Sequence, residues 1–196
     1  MKEYFKAGNM LNPVPAVMVT SGDMESANIV TVAWCGNACT NPPMLYISLR
    51  PERYSYDIIK KNGEFVVNLV TDMLVKACDY CGVKSGRDVD KFKKCNLTKL
   101  ESRFVKAPSI LESPVSIECK VNRIIDFSDT DIKHSHHMII ADILGVTVDK
   151  SLLDENGRFN FEKSNPIVYS HGEYYGLGEY LGKFGYSIKK ENKKKK

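Results

Sequence analysis

The side chains of this 196-residue sequence that could do chemistry are six cysteines, four histidines and a knot of arginines. Cys35-x-x-x-Cys39 and Cys78-x-x-Cys81 together hold four thiols, and four thiolates in tetrahedral array would make a zinc or iron–sulfur site. Zinc pairs usually sit in tight turns with glycine close by. Cys78 instead falls in the stretch Thr71 to Cys81, where Met73, Leu74, Ala77 and Cys78 predict one face of a helix. A redox-active C-x-x-C normally lies where a helix begins, because that end lowers the thiol pKa, and here the pair falls near a helix end. The pattern favours buried, reduced thiols, with a metal site on Cys35, Cys39, Cys78 and Cys81 as the alternative.

A second cluster is Ser48-Leu49-Arg50-Pro51-Glu52-Arg53-Tyr54-Ser55, which follows an apolar run and precedes a short helical pattern. Guanidinium groups, short hydroxyls and backbone N–H groups converging at a helix start are what phosphate recognition requires. Arg50, Arg53 and Ser55 are the candidates; the competing reading is a surface loop whose arginines pair with Glu52 and Asp57. Between Asn28 and Trp34 the chain alternates, showing Asn28, Val30, Val32 and Trp34 on one face and Ile29, Thr31 and Ala33 on the other. An edge strand of this kind holds a flat aromatic ligand when its backbone meets the ring edge and apolar surface meets the ring face. Trp34, the one tryptophan, would serve equally well in the core. His134, His136 and His137 precede an apolar strand with no carboxylate pattern to complete a metal triad, so His136 is assigned to a ligand. Tyr174-Tyr175-Gly176-Leu177-Gly178 offers aromatic surface for a ligand, for core packing or for a dimer contact.

These residues must be positioned by strands. Runs rich in Val, Ile, Thr and Tyr recur at Val14 to Thr20, Asn28 to Trp34, Met44 to Leu49, Glu64 to Val70, Val115 to Asp126, Met138 to Val148 and Ile167 to Tyr169. Short helical patterns fall at Ser55 to Lys61, Thr71 to Cys81 and Asp90 to Cys95. The sum predicts a mainly-β single domain, a barrel or sandwich with a few helices, in which Asn28 to Trp34 pairs antiparallel with Met44 to Leu49. The formal charge is +4, but the last eight residues carry six lysines and one glutamate and supply +5 of it. The body is therefore near neutral, the end of the chain reads as a solvated, disordered tail over 191–196, and neither a nucleic acid nor a membrane is expected as partner. With no apolar run of ~18 residues and no signal-like start in MKEYFKAGNM, the expected compartment is the cytoplasm, where thiols stay reduced.

Several segments occur in a telling order: Asn28-Ile-Val-Thr31-Val-Ala-Trp34, Pro42-Pro43-Met-Leu-Tyr-Ile-Ser48-Leu-Arg50 and Arg53-Tyr54-Ser55, then Gly63-Glu64-Phe65-Val66-Val67-Asn68. Asp79-Tyr80-Cys81-Gly82, Ser85-Gly86-Arg87-Asp88-Val89-Asp90-Lys91-Phe92 and Glu118-Cys119 follow. Over roughly Met10 to Lys190 this set resembles the flavin reductase-like family of FMN-binding split barrels, most closely its flavoredoxin branch. The resemblance implies a homodimer of six-stranded Greek-key barrels, one domain over 1–190, with FMN bound noncovalently near the subunit interface. Asn28, Val30, Thr31 and Val32 would line the isoalloxazine with Trp34 close by, and Ser48, Leu49, Arg50, Arg53 and Ser55 would hold ribityl and phosphate. Lys91 would add positive charge toward the phosphate. His136 would match a family histidine ahead of a strand reading Ile-Gly-Glu-Val; here the strand reads Ile140-Ala141-Asp142-Ile143, which leaves His137 next in line. The implied activity moves electrons from NADH, NADPH or a redox partner protein through FMN, with no side chain acting as acid or nucleophile and no metal. A flavin-binding barrel without catalysis is the further alternative.

Overall fold

The computed structural model describes residues 1–127 and 134–188, so the lysine-rich segment 191–196 lies outside it. Strand β2 (Val17–Ser21) follows a short β1 (Val14–Pro15) and is buried at every position, which requires neighbours on both edges and both faces. It has them: β3 (Asn28–Val32) pairs on one edge and β6 (Glu64–Leu69) on the other, both antiparallel. β4 (Cys35–Cys39) and β5 (Met44–Leu49) come between these in sequence. A small hairpin, β7 (Lys99–Leu100) with β8 (Ser109–Ile110), precedes the two long strands β9 (Val115–Asp126) and β10 (His137–Val148). The resulting sheet runs β3-β2-β6-β9-β10-β5-β4.

Sequence alternation sets which side chains fill the barrel. In β5, Leu45, Ile47 and Leu49 are buried while Tyr46 and Ser48 face the other way. Val17, Val19, Val30, Val32, Phe65 and Ile139 join the same inner cluster. The opposite face of the β2–β3 end, Met18 and Ile29, packs under helices α2 (Val75–Val83) and α3 (Lys91–Cys95) through Leu74, Cys78, Cys81 and Phe92. Helix α1 (Tyr54–Asn62) drops Tyr56 and Ile59 into the barrel and stops at Gly63, whose left-handed φ of 71° suits glycine. Asn68 pins the sheet from within. Its Nδ2 donates to the Met18 carbonyl at 3.0 Å, and its Oδ1 accepts from the Ile110 N–H at 2.9 Å and the Ser116 hydroxyl at 2.8 Å. Among the described residues no helix is long and apolar enough to cross a membrane.

The mainly-β split barrel matches the expected class, with differences at one corner. The strand expected over Asn28 to Trp34 ends at Val32, bends at Ala33–Trp34, and resumes as β4, a strand outside the expected set. Before the bend the run pairs with β2, not β5; after it, β4 pairs with β5, and the Ser48 N–H donates to the Trp34 carbonyl at 2.7 Å. One bent run thus joins the two ends of the sheet, and counting it once reconciles seven observed strands with the expected six. The helix expected over Thr71 to Cys81 is a 3₁₀ turn, Asp72–Leu74, leading into α2. Strand β11 (Ile167–Ser170) is joined by β12 (Glu173–Gly176), unforeseen in the sequence, and both pack with β1 as a separate three-stranded sheet.

Candidate functional site

Among the described residues, β3 has no strand neighbour in the sheet besides β2. The Ile29 carbonyl accepts from Lys91 Nζ at 2.7 Å, so it points away from β2, and in an antiparallel ladder the N–H and C=O of Thr31 point the same way. Helix α2 crosses just beyond: the Thr31 hydroxyl donates to the Cys78 carbonyl, and a Cβ on Gly82 would sit 3.2 Å from Thr31 Cβ. A side chain at Gly82 would push Thr31 back by a few tenths of an ångström. Between this edge, the end of β5 and the small sheet opens a cavity of about 390 Å³. Thr31, Val32 and Trp34 form one wall, Ser48, Leu49, Arg50 and Arg53 a second, and Tyr169 and Tyr174 a third; His136 also lines it.

The helical end of this cavity continues into a small pocket of about 90 Å³ that shares Arg53 and Val83 with it. Asn28, Val30, Ser55 and Lys91 line the pocket. Arg53 is the residue that starts α1; its side chain makes no cap, and its Nη1 donates instead to the Gly82 carbonyl at 3.1 Å. Asn28 Nδ2 donates to Ser55 Oγ at 2.8 Å, and a Cβ on Gly86 would fall 2.0 Å from Asn28 Oδ1. The turn at Gly86 therefore closes over Asn28 only as glycine. Arg87 fastens this turn to α1 through Asp57, 3.1 Å away, and through the face of Tyr54. Lys91 is buried, and its ammonium is engaged by two carbonyls, Ile29 and Cys81, the latter at 2.8 Å. Burial pulls its pKa below the usual lysine value. Its charge reaches the pocket from beneath while it ties α3 to β3 and α2.

The two adjacent histidines part company. His136 lines the main cavity, and burial first, then the Arg50 guanidinium, hold its pKa below the ordinary value, so the imidazole is neutral at pH 7. His137 turns to the barrel mouth, where Nδ1 lies 2.7 Å from the Tyr56 hydroxyl and Nε2 3.1 Å from Asp126 Oδ1. That chain ties α1 to the start of β10, the elements carrying Ser55 and leading from His136.

The four-cysteine metal site is overturned by position. Cys35 packs against the barrel core, whereas Cys78 and Cys81 lie in the cluster under the helices, and among the described residues no three metal-ligating side chains gather. Burial pushes the Cys35 and Cys78 thiols up to about 12 and raises those of Cys81 and Cys119 as well. Cys81 Sγ instead approaches Cys95 Sγ at 4.0 Å.

Among the polar and aromatic lining residues, Asp79 and Tyr169 had no site role in the sequence, and Tyr174 was offered only as aromatic surface for a ligand, the core or a dimer contact. The Tyr174 hydroxyl donates to Asp79 Oδ1 at 3.3 Å, and its ring meets that of Tyr169 edge-on at 5.5 Å. The Tyr-Tyr-Gly stretch and the Asp79-Tyr80-Cys81-Gly82 run were the available signals. Together the donor set fits a flat heteroaromatic with a phosphate tail: strand-edge N–H and C=O for ring heteroatoms, aromatic and apolar walls for its faces, arginines and serines at the helix start for the anion.

Comparison with known proteins bears on what that molecule is. Residues 10–178 match the model of the flavin reductase like domain. The solved flavoredoxin of Desulfovibrio vulgaris (Miyazaki F) superposes with a TM-score of 0.85 at 32% identity, covering 96% of this chain and 100% of that one. A flavoredoxin from Methanosarcina acetivorans gives 0.82 at 25% identity, over 95% and 97% of the two chains. An uncharacterised protein of Archaeoglobus fulgidus is 32% identical over 152 residues, 78% of this chain and 82% of its own.

Proposed function

This chain belongs to the flavin reductase like family of flavin-binding oxidoreductases, and from that premise we propose that its β3-edge cavity holds FMN and relays electrons through it. The observation that carries the reading is the continuity of the strand edge at Thr31 with the Arg50–Arg53–Ser55 end. Thr31, Val32 and Trp34 would border the ring, Ser48, Leu49 and Arg50 the ribityl chain, and Arg53 and Ser55 the phosphate. Asn28 orients Ser55 from behind, Val30 floors the pocket, and Lys91 offsets the phosphate charge from below. The small pocket of about 90 Å³ at this end is of a size for the phosphate.

When bound, the flavin supplies the hydride or single-electron chemistry. The chain's own part is to bind and orient it: outward backbone N–H groups of β3 stabilise negative charge on the ring, and neutral His136 offers a hydrogen bond without adding charge. The electron source is NADH or NADPH, or a redox partner protein acting in the cytoplasm. A homodimer accords with Leu181 and Phe184, which are 87% and 108% exposed in the single chain.

The absorption spectrum of the purified protein tests this. Flavin bands bleached anaerobically by NADH or NADPH are the expected result. A yellow protein that neither nicotinamide bleaches is a carrier fed by a protein, and bound FMN inert to every donor makes it a binding barrel. Absence of flavin in the purified protein, with no uptake of added FMN, overturns the proposal.

A further inference from the structure

On the other side of Trp34 lies a second and larger cavity, about 570 Å³. Ala33, Trp34, Ser48 and His136 border both spaces and form the partition between them. The remaining walls come from Cys35 and Tyr46 on the paired strands β4 and β5, and from Met10 and Leu11 on the arm that precedes β1. The arm is shaped rather than trailing: Asn12 Nδ2 donates back to the Asn9 carbonyl at 3.3 Å, and Val14 pairs with Tyr169. It carries Met10 and Leu11 over the opening with 66% and 87% of their surface exposed. Gly36 leaves room for the Tyr46 ring, whose atoms lie 3.1–3.3 Å from where a Cβ would be.

The contrast in charge between the two spaces is sharp. Arg50, Arg53 and Asp79 line the first; among the described residues no lysine, arginine, aspartate or glutamate lines the second. Two of its lining groups, His136 and Cys35, have pKa values that burial moves away from neutrality, so both are neutral at pH 7. A phosphate-bearing dinucleotide would find no cation there, and a carboxylate or ammonium would be desolvated without a partner. The walls instead offer Trp34 and Tyr46 as aromatic surface, Met10 and Leu11 as adaptable apolar surface, and Ser48 and His136 as hydrogen-bonding groups. The volume is in the range of small-molecule sites.

We propose that this second cavity binds an uncharged, flat aromatic molecule of quinone size and holds it across the Trp34 partition from the flavin site. Binding itself follows from the cavity; only the molecule's place beside a flavin rests on the function proposed above. The chain's single tryptophan stands in the partition, so its fluorescence reports on both spaces. In the full-length, flavin-stripped protein, menadione should quench this fluorescence saturably, and an anionic naphthoquinone sulfonate should bind at least tenfold more weakly. Leu11→Asp and, independently, Met10→Asp, both at exposed positions, should weaken menadione at least tenfold. Non-saturable quenching, equal affinity for the sulfonate, or wild-type affinity in both variants overturns the proposal, as does conversion of a dimer to a monomer by these variants with menadione binding intact. Titration of the same protein with FMN separates the two readings. Menadione binding without FMN binding sinks the flavin reading and keeps this cavity's assignment, and the reverse sinks this one alone.

Discussion

Arg53→Ala is expected to weaken flavin binding by roughly 10- to 100-fold. Arg53 sits where the main cavity meets the small pocket at the start of α1, and among the described residues only its Nη1 is committed, to the Gly82 carbonyl at 3.1 Å. The rest of the guanidinium is available to an anion, and a charge-assisted hydrogen bond is worth about 1.5–3 kcal/mol. At ~1.4 kcal/mol per decade, that gives the stated range. The same substitution removes the Gly82 tie, itself a bond from a charged donor worth ~1.5–3 kcal/mol, which in a domain of this size lowers Tm by about 3–12 °C. Arg53→Lys keeps the charge but loses the fork, and should fall between wild type and alanine. The assay is titration of flavin-stripped protein with FMN by flavin fluorescence, alongside calorimetry. A Tm drop with FMN affinity changed less than threefold would show that Arg53 is a brace for α2 and not a phosphate ligand, and would refute the placement of the anion.

Gly86→Ala forces a methyl to within 2.0 Å of Asn28 Oδ1. Overpacking of this kind costs ~1–3 kcal/mol, so Tm should drop by roughly 3–10 °C with loss of the Asn28–Ser55 bond and weaker FMN retention; an unchanged Tm would mean the turn relaxes freely. The buried thiols set an alkaline limit. Cys35 and Cys78 stay protonated up to about 12 when folded, while the unfolded chain ionises them from about 9, so the stability they contribute is full below that and is lost as pH rises toward 12. Each should steepen the loss by up to ~1.4 kcal/mol per pH unit, measured by urea unfolding between pH 8 and 11. Flat stability over that interval would refute it.

The strands were legible because alternation and β-branched composition are local signals: β5, β9 and β10 lie within a residue of where the pattern puts them, while the run from Val14 splits into β1 and a β2 that begins at Val17. The corner at Ala33–Trp34 was not legible, since Cys35-Gly36-Asn37-Ala38-Cys39 has the composition of a loop and becomes a strand only by pairing with β5. Register across the barrel is likewise a tertiary fact, which is why β3 was paired with the wrong neighbour. At the site, the arginine and serine cluster carried its own chemistry in its residue types. Asp79 and Tyr169 did not, because an aspartate on a helix and a tyrosine on a short strand become site residues only when two distant elements converge. Lys91 shows the opposite limit: its charge was visible in sequence, its two carbonyl partners were not.

The bare edge of β3 has a meaning apart from any ligand. An unpaired strand edge is a template on which another chain can add, the first step toward fibres. Here the danger is met by rationing: Lys91 blocks the edge at Ile29, α2 overhangs it at Thr31, and the bend at Ala33 ends it. The stretch left open is a residue or two long, wide enough for the rim of a ring and too short for an incoming strand to gain a foothold. On the proposed function, recognition and protection against self-association are therefore the same piece of backbone, and lengthening β3 to improve one would surrender the other.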